Sequence, residues 1–360
     1  MGQLSELVTR HGTAQLPAFF PDATRAVVRT VDAQDLERCG IQGLIVNTFH
    51  LTNAPGVGLT KSQGGIHAFM GWGHPIISDS GGFQAMSMIR ENARYGTISD
   101  AGITFSNVDA KGRKKLKLTP EKCIQIQFDL GSDIMMCLDD CPRPDADVDE
   151  VAASVQRTIV WAGRCRKEFE RQVEARRLEA DDRPQLFGIV QGGYRKRLRW
   201  ECAEALIDIG FDGYGFGGWP LDLDRNLAEA TLAYTAQLMP DGLPKYALGV
   251  GSPASVVRCV DMGYNIFDCV LPTRDARHER LYCFGTGADL SGFRFLYIGD
   301  DKHKRDPRPI SEVCDCPCCS SYSRSYLHHL FQIQDGLAGR LATLHNLRFY
   351  AQLMERLRTR

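Results

Sequence analysis

Three carboxylates and an amide in this chain stand where a bond to a sugar could be broken. Asp79 follows Ile76-Ile77-Ser78, Asp139 follows Met135-Met136-Cys137-Leu138, Gln191 follows Ile189-Val190, and Asp268 follows Ile266-Phe267. Gly217-Gly218 follow Tyr214-Gly215-Phe216 in the same way. No clear His base or nucleophilic Ser accompanies them. Carboxylates in that company point to acid/base work on a glycosidic bond, in which one attacks and another group handles the leaving group's proton. A planar leaving group would also need an aromatic platform and polar groups along its edge. Phe83, four residues after Asp79, could be the platform, and Asp139 and Gln191 could read the edge.

A second constellation suits a metal. Cys314-Asp315-Cys316-Pro317-Cys318-Cys319 offers thiolates at C-x-C-x2-C spacing, with His345 downstream. Cys314, Cys316, Cys319 and His345 would complete a closed tetrahedral zinc site with no position left for water, which makes it structural. Cys318 is then a spare thiol, and His328 and His329 compete for the fourth place.

The elements that must position these residues follow a plain rhythm of short β-prone run, turn and longer amphipathic stretch. The expected strands are Leu44–Asn47, Pro75–Ser78, Asp133–Leu138, Leu186–Val190, Gly213–Phe216, Tyr246–Gly249 and Asn265–Phe267. The expected helices are Val148–Arg177, Arg195–Ile209, Leu227–Leu238 and Pro253–Met262. Strands alternating with helices imply parallel βαβ units, and seven or more in one chain favour a closed (β/α)8 barrel over an open sheet. The polar residues then fall at the C-terminal ends of the strands, where such barrels build their sites. An Asp or Gly after a strand also makes turns or caps helices. Five strand ends of this kind together favour the site.

Composition excludes some classes. The 360 residues are 43% hydrophobic, enough for a large core, and the formal net charge of -1 gives no global basic field. Local basic runs remain: Lys111, Arg113, Lys114, Lys115 and Lys117; Arg274, Arg277 and Arg280; Lys302, Lys304, Arg305 and Arg308. The polar segment Met1 to Gly12 lacks the apolar core of a secretory signal, and no uninterrupted apolar stretch predicts a membrane span. Of 13 cysteines, four crowd into Cys314–Cys319, a pattern that fits a metal in a reducing cytoplasm better than a disulfide scaffold.

Several ordered blocks carry a family resemblance. They are Ser78-Asp79-Ser80-Gly81-Gly82-Phe83-Gln84, Phe187-Gly188-Ile189-Val190-Gln191-Gly192-Gly193, Phe267-Asp268-Cys269-Val270-Leu271-Pro272-Thr273-Arg274, Lys302-His303-Lys304-Arg305-Asp306, the cysteine cluster, Tyr326-Leu327-His328-His329 and His345-Asn346-Leu347. Over nearly its whole length the chain resembles the tRNA-guanine transglycosylases of the bacterial and eukaryotic type. The resemblance implies a (β/α)8 catalytic barrel over 1–300, a C-terminal zinc-binding subdomain over 301–360 and a homodimer. It implies exchange of guanine at the wobble position of a tRNA anticodon for a 7-deazaguanine base. Asp268 would be the nucleophile on the ribose and Asp79 the general acid/base. Phe83 would stack on the base, Asp139, Gln191, Gly217 and Gly218 would hold its edge, and Leu248 would close the other face. Arg274 and Arg277 would read neighbouring anticodon bases, their forked donors suiting base edges and phosphates. An anticodon loop makes turning out the target base cheaper than a duplex would.

One block departs from the pattern. After the glycine pair the family commonly continues with Leu, a small residue, Val or Gly, Gly and Glu, whereas here Trp219-Pro220-Leu221-Asp222-Leu223 follow. The resemblance therefore implies an altered wall beside the 7-substituent and a shifted base preference, as in a divergent paralogue. Three rivals stand beside this expectation: base exchange on DNA, a non-catalytic partner subunit, and a metal-dependent hydrolase. Arg274 and Arg277 speak against the first, and Asp79 and Asp268 against the second. The hydrolase reading fails because the metal-ligand types form one closed cluster.

Overall fold

The computed structural model describes residues 4–109, 112–285 and 292–360, with 107–109 and 112–115 as backbone alone. Eight parallel strands form the centre: β1 (Ala18–Pro21), β2 (Leu44–Val46), β3 (Ile76–Ser78), β4 (Ile134–Met136), β5 (Gln185–Val190), β6 (Gly213–Phe216), β7 (Lys245–Ala247) and β8 (Ile266–Cys269). Their order is β1-β8-β7-β6-β5-β4-β3-β2. A parallel bridge between Asp22 and Ile45 joins the two ends, with the Ala23 N–H donating to the Ile45 carbonyl at 2.7 Å. This is the expected α/β barrel. Strands buried on both faces explain why the runs read as continuously apolar.

Side chains alternate across each strand. Phe20, Ile45, Ile77, Met136, Ile189 and Tyr246 fill the interior, while their neighbours Phe19, Val46 and Val190 face the helices. The same alternation carries Asp22, Asp79, Gln191, Gly217, Leu248 and Asp268 to the inner side of the mouth, each two residues beyond an inward position. At the other end, an antiparallel hairpin of Glu6–Thr9 and Gly12–Gln15 plugs the barrel, sending Leu7, Ala14 and Leu16 into the inner core.

The seven expected strands and four expected helices are present, with ends shifted by at most two residues. The sequence pattern does not reveal β1, because prolines at 17 and 21 make Ala18-Phe19-Phe20 look like a turn. Pro21 is tolerated at the strand's last position, where one missing N–H matters least. Also absent from the expected elements are the plug, the antiparallel sheet of Gly96–Ser99, Gly102–Asp109 and Gly112–Leu118 inserted between β3 and β4, and the hairpin of Arg280–Phe284 and Phe293–Tyr297. The last helix, Gly336–Arg358, packs on β1 and on the short helix Leu271–Arg277 that follows β8. Among the described residues, no helix is long and apolar enough to cross a membrane.

Candidate active site and metal cluster

Asp79 is fixed by backbone and side chain alike. Its Oδ1 accepts from the Thr48 N–H at 2.8 Å and the Gly81 N–H at 3.0 Å, and its Oδ2 accepts from the Asn47 amide. Gly81 can turn its N–H there because it has no Cβ: at its φ of +73° a Cβ would lie 2.8 Å from the Phe49 nitrogen. Burial pushes the Asp79 carboxyl up to about 7, against the Thr48 and Gly81 hydrogen bonds and with help from the Asp268 charge. Asp268 is likewise raised by burial, to about 6. The Gly249 N–H at 2.8 Å and the Tyr246 hydroxyl at 2.7 Å both donate to its Oδ1 and favour its ionised form.

Asp139 and Gln191 meet across the mouth. The Gln191 Nε2 donates to the Asp139 Oδ2 at 2.6 Å. Burial holds Asp139 at about 6, opposed by that hydrogen bond. The Gln191 Oε1 is buried and has no partner among the described residues, an acceptor waiting for a donor. Gly217 is what lets Gln191 lie across the end of β6, since a Cβ there would sit 2.5 Å from Nε2. Leu248 lies over Gly215, whose own Cβ would meet Leu248 Cδ1 at 2.5 Å. Phe83 is exposed beside the mouth, its ring 5.5 Å from that of Trp219 in an edge-on contact. Asp140, next to Asp139, is turned away from the mouth. Arg90 and Arg157 clamp its carboxylate, and its N–H donates to the Thr158 hydroxyl at 3.0 Å.

Sequence reasoning missed four residues of this mouth. Asp22 adds a half-buried fourth carboxylate just past β1, the strand beside Asp268, and burial raises its pKa. Asn47 braces Asp79, and Tyr246 braces Asp268. Arg199 is fully buried and donates to the carbonyls of Val190, Gly193 and Gly217 at 3.0, 2.7 and 2.9 Å, tying the ends of β5 and β6 together. The period-two alternation along the expected strands would have found Asn47 and Tyr246 in the sequence, whereas Asp22 follows a strand that the pattern does not reveal. Nothing local marks Arg199, whose partners are carbonyls.

The basic runs divide. Arg274 is exposed on the helix after β8, whereas Arg277 is half-buried there with its pKa lowered by burial and a buried Nη1 that has no partner among the described residues. Arg280, Lys302 and Arg308 are engaged with Asp275, Asp300 and Asp306. Lys117, Lys304 and Arg305 are exposed. Lys111 lies outside the described residues, as do the side chains of Arg113, Lys114 and Lys115.

Cys314, Cys316, Cys319 and His345 gather as the spacing predicts, their ligand atoms all within 4.8 Å of one another. The His345 Nε2 is held by the Tyr282 carbonyl at 2.7 Å, which turns Nδ1 toward the thiols, 3.2 Å from Cys319 Sγ. His328 is occupied elsewhere, its Nδ1 bonding the Ile298 carbonyl at 2.9 Å. The cluster could hold a metal ion, with Cys318 outside it.

Against known proteins, the family model described as queuine tRNA-ribosyltransferase matches residues 1–360. The queuine tRNA-ribosyltransferase of Halothermothrix orenii is 40% identical over 359 residues, covering 99% of this chain and 89% of that protein. The protein of that name from Staphylococcus aureus strain RF122 is 40% identical over 353 residues, covering 97% of this chain and 86% of that one. With the fold, the mouth and the full-length match in agreement, this chain belongs to the queuine tRNA-ribosyltransferase family.

Proposed function

We propose that the chain exchanges guanine at the wobble position of a tRNA anticodon for a 7-deazaguanine base, through a covalent ribose ester. The carrying observation is the pairing of two raised carboxylates, Asp79 and Asp268, with the Asp139–Gln191 pair and its free acceptor at one barrel mouth. The ionised Asp268 attacks C1′ as the C1′–N9 bond breaks, and the departing guanine takes up a proton from Asp79. The incoming base then returns its N9 proton to Asp79 as N9 displaces the Asp268 ester oxygen. Two inversions restore the original configuration. A carboxylate beside the developing oxocarbenium ion is electrostatically favourable in a dry site. Phe83 stacks on the base, Asp139, Gln191 and the Gly217-Gly218 backbone hold its edge, and Leu248 closes the opposite face. Arg274 and Arg277 hold neighbouring nucleotides.

Zinc is the metal that the three thiolates and the imidazole suit, as four soft or borderline donors with no open position. Cys314, Cys316, Cys319 and His345 would hold it, and it would act as a structural cross-link with no part in the chemistry. The cytoplasm suits these reduced thiols. The domain division at 300/301, with the C-terminal helix serving the barrel, and assembly as a homodimer belong to the same proposal. Sedimentation of the pure protein tests the assembly, and a monomer at micromolar concentration would reject it.

The deciding experiment is incorporation of labelled guanine into unmodified tRNA bearing a GUN anticodon, beside a DNA oligonucleotide of the same loop. Label should enter the tRNA alone. Asp268→Asn should reduce the rate by more than about a thousandfold, as loss of a nucleophile does. Label in the DNA alone would transfer the reading to DNA modification, and no label from folded protein would support the partner-subunit reading.

A further inference from the structure

The wall of the mouth beyond Gly218 differs in charge from the mouth itself. Two clefts meet there, separated by the Trp219 indole, whose N–H donates to the Pro142 carbonyl at 3.2 Å. The inner cleft has a volume of about 230 Å³ and is bounded by Gly193, Tyr194, Arg195, Gly218, Trp219 and Arg143, among others. Its lining includes three arginines and not one carboxylate. Arg199 is spent on its three carbonyls. Arg143 is forked onto Asp145 at 3.0 and 2.8 Å. Arg195 alone has no side-chain partner among the described residues, and it is exposed at the start of the helix Lys196–Ile209. No acidic group lines this cleft, although the Asp222 charge adds to burial in raising the Tyr194 hydroxyl. Asp222 accepts from the Asn226 N–H inside its own turn, and Glu91 lines the other cleft, on the far side of Trp219.

We propose that the cleft between Trp219 and Arg195 receives the 7-substituent of the incoming base, and that this substituent is a hydrogen-bond acceptor, neutral or anionic, rather than an ammonium. The inference rests on the base-exchange reading, which sets the base edge against Gly218 and Gln191. An ammonium in this cleft would meet an unpaired guanidinium and find no carboxylate among the residues lining it. A carboxylate, carboxamide or nitrile would accept from Arg195 instead. Arg195 is near solvent, so its effect is moderate and screened by salt.

The test is a competition series. Labelled guanine is exchanged into tRNA by the pure protein in the presence of 7-deazaguanines bearing aminomethyl, cyano, carboxamide or carboxylate groups. An acceptor-bearing base should compete at a concentration at least about tenfold lower than the aminomethyl base, a modest preference for one partly screened charge. Arg195→Ala should narrow that ratio, and Arg195→Glu should reverse it, in protein whose melting temperature is unchanged. Preference for the aminomethyl base in the unaltered protein overturns the inference while leaving base exchange standing. So does an Arg195→Ala variant that keeps the base ranking and raises the KM for tRNA, since the arginine would then be holding a phosphate. If guanine itself is not exchanged, the base-exchange reading falls, and this inference with it.

Discussion

Two carboxylates of different poise give the mouth its expected pH response. In the proposed exchange Asp268 attacks in its ionised form, so activity should rise as pH climbs through about 6. In the same proposal Asp79 carries the proton for the departing base, so activity should fall above about 7. The result is a narrow bell, whose limbs belong to the coupled set rather than to single residues. Asp139 also titrates at about 6, so the acid limb needs assignment. Tyr246 provides it. Its hydroxyl donates to Asp268 and stabilises the ionised form. In Tyr246→Phe the Asp268 pKa must therefore rise, and the acid limb of kcat/KM should move to higher pH while the alkaline limb stays. One lost hydrogen bond to a charged group corresponds to a shift of about one pH unit. An acid limb that does not move would assign it to Asp139. The same burial that raises these carboxylates also costs stability. Each raised group contributes stability that is full below its ordinary pKa and lost as pH rises through 6 to 7, so the mouth is losing stability across the range in which it is active.

At the scale of elements, the opposite end of the barrel shows the reverse sign. Asp133, just before β4, is buried, yet its carboxyl is held down at about 2. Burial opposes the charge, but hydrogen bonds from His11 at 2.6 Å and His67 at 3.0 Å, with the Ile76 N–H, outweigh it. His11 lies in the turn of the plug and stacks on His67 at 3.6 Å, so this carboxylate pins the plug to the barrel floor. A depressed carboxylate contributes stability that is present above its ordinary pKa near 4 and lost as pH falls through about 2. The shift corresponds to about 2 kcal/mol. Urea unfolding of the unaltered protein and of Asp133→Asn should differ by about that much at pH 6 and converge near pH 2; a constant difference would show that the charge is not what matters. None of this plug was legible in the sequence, because its strands are four residues long and the carboxylate that anchors them lies more than a hundred residues away. Seven of the eight barrel strands were legible because burial on both faces makes each a short, mainly apolar run. The mouth was half legible: Asp79, Gln191 and Asp268 end such runs visibly. Asp22 is hidden behind Pro21, and Arg199 shows its purpose only once β5 and β6 are side by side.

Across the whole molecule, one helix carries the connection between the cysteine–histidine cluster and the mouth. Gly336–Arg358 brings His345 to the three thiols. One residue on, Asn346 donates to the Pro272 and Arg280 carbonyls at 3.0 Å and accepts from the Tyr282 N–H at 3.1 Å. Further along, the Tyr350 hydroxyl donates to the carbonyl of Gly251, and Arg358 donates to Pro17 just before β1. The helix therefore holds the segment from Pro272 to Arg280, which contains Arg274 and Arg277, and it reaches both strands flanking the Asp268 side of the mouth. A metal that fixes His345 fixes this helix from the cluster side, and the free energy of metal binding becomes stability of the folded chain. Removing the metal with a chelator, or replacing Cys319 by Ser, should lower stability by several kcal/mol. The functional loss should be uneven: the KM for tRNA should rise well before the KM for the base. Asp139, Gln191 and Gly217 are positioned by β4, β5 and β6, which this helix does not touch through any of these bonds. An equal loss in both constants, or a base KM that rises first, would mean that the cluster supports the barrel as a whole and not the nucleic-acid face in particular.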